Sequence, residues 1–145
     1  DLLPPILDDI FRALAPGGVF RLSLPDYRSP FLRKRCVYDE EGRVIADLRM
    51  GGTVTYDRAT KQRKVQFAPN GGAHVWFPTF ELVQALVERS RLSECGDIRY
   101  YQYFRTPKEF VADPIPENEM FVMRAVPHDN RAGGKPISIV VDFTK

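Results

Sequence analysis

The sequence predicts an α/β fold, and three observations predict it. Apolar residues recur at helical spacing from Leu3 to Leu14, then alternate at strand spacing from Val19 to Leu24. A second helical pattern follows Pro78-Thr79. The chain closes on Ile137-Ser138-Ile139-Val140-Val141-Asp142-Phe143, a β-branched run that reads as a strand.

Each element has a local cause. Leu3, Ile6, Leu7, Ile10 and Leu14 share one helix face with Phe11 beside them, and Asp8, Asp9 and Arg12 take the other side. Pro16 supplies no helix-interior N–H, and Gly17 or Gly18 permits the positive φ of a helix exit. Phe20, Leu22 and Leu24 then alternate with Val19, Arg21 and Ser23. Residues 27–36 read as a polar loop and 37–42 as a turn. Three short β-leaning segments follow: Arg43 to Leu48, Gly52 to Tyr56 and Arg63 to Phe67. The last two form a hairpin in which Val54 and Tyr56 face Val65 and Phe67. Residues 37–76 are thus expected to be an inserted β-rich block, a lid on the body of one domain spanning 1–145.

Thr79 is a competent N-cap and Glu81 an acid suited to a first turn. Phe80, Val83, Leu86 and Val87 form the buried face of that helix, with Leu82 at its border. Asp97 to Phe104 reads as a strand rich in aromatics, followed by a loop punctuated by Pro107, Pro114 and Pro116. In the last strand Ile137, Ile139, Val141 and Phe143 share a face.

Composition narrows the function. The chain's 145 residues, 43% of them hydrophobic, suffice for a real core. Its 21 basic and 19 acidic residues nearly cancel, which argues against a general nucleic-acid binder. Arg28, Arg33, Lys34 and Arg35 form the one dense basic patch, a solvated loop or a phosphate contact. The apolar runs fall far short of the roughly 18 residues a membrane helix needs. Cys36 and Cys95 stand far apart and read as thiols of a reducing compartment, with the cytoplasm as the expected location.

Leu14-Ala15-Pro16-Gly17-Gly18-Val19, followed by Leu24-Pro25-Asp26, resembles a late segment of class I S-adenosylmethionine-dependent methyltransferases. Met123 to Arg131, ahead of Ile139 to Lys145, is similar to the tail of the type 11 kind. The resemblance implies an incomplete Rossmann-like methyltransferase sheet, its late strands and helices present and its cofactor half elsewhere. It further implies that Val19–Leu24 runs parallel to a partner or inside the sheet, while Asp97–Phe104 and Ile137–Phe143 pair antiparallel. Two departures stand out. Arg91-Leu92 occupies the place of a Gly-aromatic pair, and the block 37–76 has no counterpart in a minimal fold.

The family grips S-adenosylmethionine with a glycine-rich turn that opens a helix and with an acid on the ribose hydroxyls. Neither occurs here, since Gly17-Gly18 ends a helix and Asn70-Gly71-Gly72 leads to His74-Val75-Trp76. No cofactor-binding residue is therefore assigned, although S-adenosylmethionine remains the implied cofactor. On this resemblance the chain supplies the side of the cleft that receives a small-molecule acceptor. Ligands of open α/β sheets lie beyond the carboxyl ends of strands, which makes Asp26 and Tyr27 the catalytic candidates. Either orients the acceptor or moves its proton, or else caps the turn. His74, His128, Asp129 and Arg131 are candidates for acceptor binding. The alternative function is a non-catalytic half-domain that pairs with itself or with another chain.

Other chemistries have weaker signals. A zinc site would need His74 and His128 to converge with acids such as Glu117, Glu119 or Asp129. Ser23 lacks the Gly-x-Ser-x-Gly elbow of hydrolases. The aromatics Tyr100, Tyr101, Tyr103 and Phe104 suit either base stacking or sheet packing, and a strand favours packing.

Overall fold

The computed structural model describes residues 2–69, 71–115, 125 and 133–145. The chain is mixed α/β, mostly strand with few helices. Helix α1 (Leu3–Ala13) precedes strand β1 (Val19–Pro25), and a short helix α2 (Pro30–Arg33) follows. Strands β2 (Cys36–Tyr38), β3 (Val44–Asp47), β4 (Gly52–Asp57) and β5 (Gln62–Phe67) come next. Helix α3 (Phe80–Glu88), a 3₁₀ turn at Arg91–Glu94, and strands β6 (Asp97–Thr106), β7 (Glu109–Ala112) and β8 (Ser138–Thr144) complete the order. Among the described residues no helix is long and apolar enough to cross a membrane.

Helix α1 begins with Pro4 and Pro5 in its first turn, where a missing N–H costs nothing. It buries Leu7 and Phe11 and turns Ile6 outward, 51% exposed. Gly17, at φ +74, makes the exit, and its N–H donates to the Lys145 carbonyl. The Lys145 ammonium donates to the carbonyls of Phe11 and Leu14, groups the helix leaves without internal partners.

A four-stranded sheet has the order β1-β8-β6-β7, every neighbouring pair antiparallel. The expected pairing of the last two long strands is present, with Ile98 opposite Phe143 and Tyr100 opposite Val141. Strand β1 differs from expectation: among the described residues its one strand partner is β8, antiparallel, so it lies at an edge. The reason is that β8, all but its last residue buried, takes the interior place. Its Ile139, Val141 and Phe143 pack with Leu7, Phe11, Val83, Leu86 and Leu92 in the main core. On the opposite face Val140 meets Tyr101 and Ala125, and Arg21 forms a buried ion pair with Asp142 at 2.6 Å. A bulge between Tyr100 and Gln102 puts Tyr100 and Tyr103 against the same Phe80 ring. The aromatic string is thus sheet packing.

Strands β2 and β3 form one hairpin and β4 and β5 another. Val54 lies opposite Val65 as expected, but Tyr56 lies opposite Arg63 and Gly52 opposite Phe67. Thr79 caps α3 by accepting from the Leu82 amide, and Leu82 is 49% exposed, a border residue indeed. The 3₁₀ turn carries Leu92, fully buried, into the core.

Candidate functional site

Beyond the carboxyl end of β1 the chain turns inward. Asp26 and Tyr27 are 0% and 2% exposed. The Asp26 amide donates to the Ile137 carbonyl and the Tyr27 amide to that of Pro78, both at 2.8 Å, so the turn is tied to two distant segments. The Asp26 carboxylate accepts from the Arg28 amide at 2.9 Å and from the Phe104 amide at 2.7 Å, one on each oxygen. Burial pushes this carboxyl up to about 6, against the opposing pull of those two amides. Such geometry is that of a cap joining the turn to β6, one of the two roles open to this residue.

Tyr27 faces a different way. Its ring packs edge-on against Phe77, with centroids 5.0 Å apart, and joins Leu32 and Ile137 in a small apolar cluster. Its hydroxyl donates to Asp47 Oδ2 at 2.9 Å and lies 2.7 Å from His74 Nδ1. Asp47, fully buried at the end of β3, also accepts the Arg35 guanidinium at 2.9 Å and the Arg49 amide at 3.0 Å. This is a charge-assisted set in which Asp47 accepts and Arg35 donates. Burial first, and the hydrogen bond to Asp47 second, push the Tyr27 phenol well above its ordinary value. Tyr27 therefore keeps its proton and acts as a donor.

Local sequence explains how these groups meet. Ser29 caps α2 ahead of Pro30, and the helix ends just before Arg35. The Leu48 amide donates to the Arg35 carbonyl at 3.0 Å, which lays β3 beside that segment and puts Asp47 within reach. His74 is held by its own amide, which donates to the Met50 carbonyl at 2.9 Å. Gly51, at φ +77, makes this approach possible, because a Cβ there would lie 2.9 Å from the Ala73 Cα.

Of the residues proposed from sequence, Tyr27 and His74 are brought together and Asp26 adjoins them. His128, Asp129 and Arg131 lie outside the described residues. Asp47 is not among the sequence candidates, and Arg35 enters there only as part of the basic patch. The available signal was an acid closing the apolar run Val44-Ile45-Ala46 just before Gly51-Gly52, with an arginine-rich turn upstream. Cys36 lies near this site, where burial pushes its thiol up to about 11 and it donates to the Leu32 carbonyl at 3.2 Å, both of which favour the thiol over the thiolate.

An open cleft of about 580 Å³ separates the two hairpins, lined by Tyr38, Glu40, Tyr56, Lys61 and Arg63 among others. It shares no lining residue with the Tyr27 cluster, where the polar groups converge. Among the described residues no group of three or more His, Cys, Asp or Glu is gathered as a metal site requires. Gly17 and Gly18 leave a helix, and Gly71 and Gly72 precede an irregular stretch, so these residues do not fit S-adenosylmethionine. No family model, curated protein or solved structure matches this chain.

Proposed function

We propose that this chain forms the acceptor-binding side of an S-adenosylmethionine-dependent methyltransferase whose cofactor-binding residues lie outside it. One observation carries the reading. Strands β1 and β6 run in the same direction, each approached by a helix, and β8 runs antiparallel between them. The antiparallel pairing of β6 with β8 is what the resemblance implies of the last two strands, whereas the edge place of β1 is not. The Tyr27 cluster then lies beyond the carboxyl end of β1, where ligands of such sheets bind. The group to be methylated is oriented there, and alignment is the main demand of methyl transfer.

Calorimetric titration tests the proposal. The isolated chain is expected to show no micromolar affinity for S-adenosylmethionine, and the full-length gene product is expected to show it. Micromolar binding by the isolated chain overturns the division of labour. A full-length product that neither binds the cofactor nor transfers its methyl group overturns the methyltransferase reading.

A second reading, a half-domain that pairs with itself or another chain, is favoured by the edge place of β1 among the described residues and by Leu2 and Ile6, 79% and 51% exposed. Sedimentation showing only monomer at high concentration excludes self-pairing.

A further inference from the structure

We propose that His74 is the proton acceptor for the group being methylated, fixed in the Nδ1–H tautomer by Tyr27 and Asp47, so that its Nε2 is the basic atom. The substrate class follows: a protic acceptor, O–H or N–H, that must lose its proton. This inference deepens the methyltransferase reading and rests on it for the identity of the reaction.

Hydrogen counting carries the argument. A phenol has one hydrogen, and an ionised carboxylate can only accept. Asp47 receives the Arg35 guanidinium and takes the Tyr27 hydrogen as well. The Tyr27 oxygen is then left with lone pairs alone toward His74. At 2.7 Å the contact to Nδ1 is a hydrogen bond only if Nδ1 carries the hydrogen. A neutral imidazole protonated at Nδ1 has its lone pair on Nε2.

Direction is therefore built into the chain of bonds from His74 through Tyr27 to Asp47. Proton transfer balances simply. The acceptor X–H gives its proton to Nε2, and the bonding pair stays on X. The resulting imidazolium keeps its Nδ1–H donated to Tyr27, with the Asp47 charge one hydrogen bond further on. Tyr27 and Asp47 act as positioning residues, because neither exchanges a proton with the acceptor. His74 is half-buried on a stretch with exposed neighbours, Gly72 and Val75, which suits a base that must meet a ligand.

The test has two arms on the full-length protein. Long-range proton–nitrogen correlation of the imidazole rings, assigned by loss of signals in His74→Gln, is expected to show Nδ1 protonated and Nε2 bare. In Tyr27→Phe, which keeps the ring against Phe77, that preference is expected to collapse toward a mixture. A wild-type ring protonated at Nε2 overturns the inference whatever the protein catalyses. In the kinetic arm, His74→Gln is expected to lower kcat by about 10²–10⁴, with cofactor affinity unchanged. Wild-type kcat in that variant overturns the role of base even where the tautomer is as stated. Absence of cofactor binding in wild type removes the methyltransferase reading and is told apart from either result by the spectrum.

Discussion

In the sheet, Ile139, Val141 and Phe143 of β8 are completely buried and meet apolar side chains from α1, α3 and the 3₁₀ turn. In the hairpin β4–β5, Thr53, Thr55 and Tyr56 are exposed, and Val65 is the one residue of β5 that is even half-buried. The first region is held by packing. The second is short of packing, and the hairpin β2–β3 that precedes it is anchored at its root by Asp47, in bonds to Arg35 and Tyr27. Polar anchorage is directional, whereas apolar packing is not. The contrast teaches why the candidate site lies at the root of the block: the groups that fasten it are the groups that aim His74.

Three measurements can break this contrast. The largest effect is expected from Ile139→Ala, which opens a cavity in the main core and should cost up to about 5 kcal/mol. Chemical denaturation should show one cooperative loss of the whole chain, and a loss confined to residues 36–67 would refute packing as its support. Next comes Asp47→Ala, which strips Arg35 and the Tyr27 hydroxyl of their acceptor and should cost about 4 kcal/mol. Proteolysis is expected to cut first within 36–67 while β8 amides stay protected from exchange. Uniform loss of protection would show that the root and the sheet are one unit.

The smallest effect concerns Asp26. Its folded carboxyl lies at about 6 against an ordinary 3.8, so the folded state holds this proton more tightly than the unfolded one. The stability it contributes is complete below about pH 3.8 and is lost as pH rises through about 6. The difference in unfolding free energy between wild type and Asp26→Ala should therefore shrink across that window, by no more than about 3 kcal/mol. A difference that grows with pH would mean that the amides of Arg28 and Phe104 outweigh burial.

The same contrast governs what was legible beforehand. Helices α1 and α3 and strands β1, β6 and β8 are long enough for periodicity to act, and Thr79 and Gly17 mark boundaries that the structure keeps. Helix α2, β2 and β7 have three or four residues each, too few for any period, and their positions come from tertiary partners such as Ser29, β3 and β6. Tyr27 and His74 were legible as polar residues at a strand end and in an inserted loop. Asp47 was not, because an acid near the end of the β-leaning segment Arg43 to Leu48 shows no partner until Arg35 is known to lie against it. Burial of a charge is a property of two segments at once, and spacing along either one is silent about it.

The position of β8 has a consequence for biosynthesis. The strand that joins β1 to β6 is translated after both, so until it emerges β1 lacks its one described partner and β6 has β7 alone. The nascent chain can form its helices and hairpins locally, but Phe20, Leu22, Ile98 and Tyr100 wait with apolar faces uncovered. Closure then requires pairing Val19 with Thr144, a contact between nearly opposite ends of the sequence, which is slow to find. The sheet therefore closes only once β8 has emerged, and the interval before that is when a chaperone would matter most.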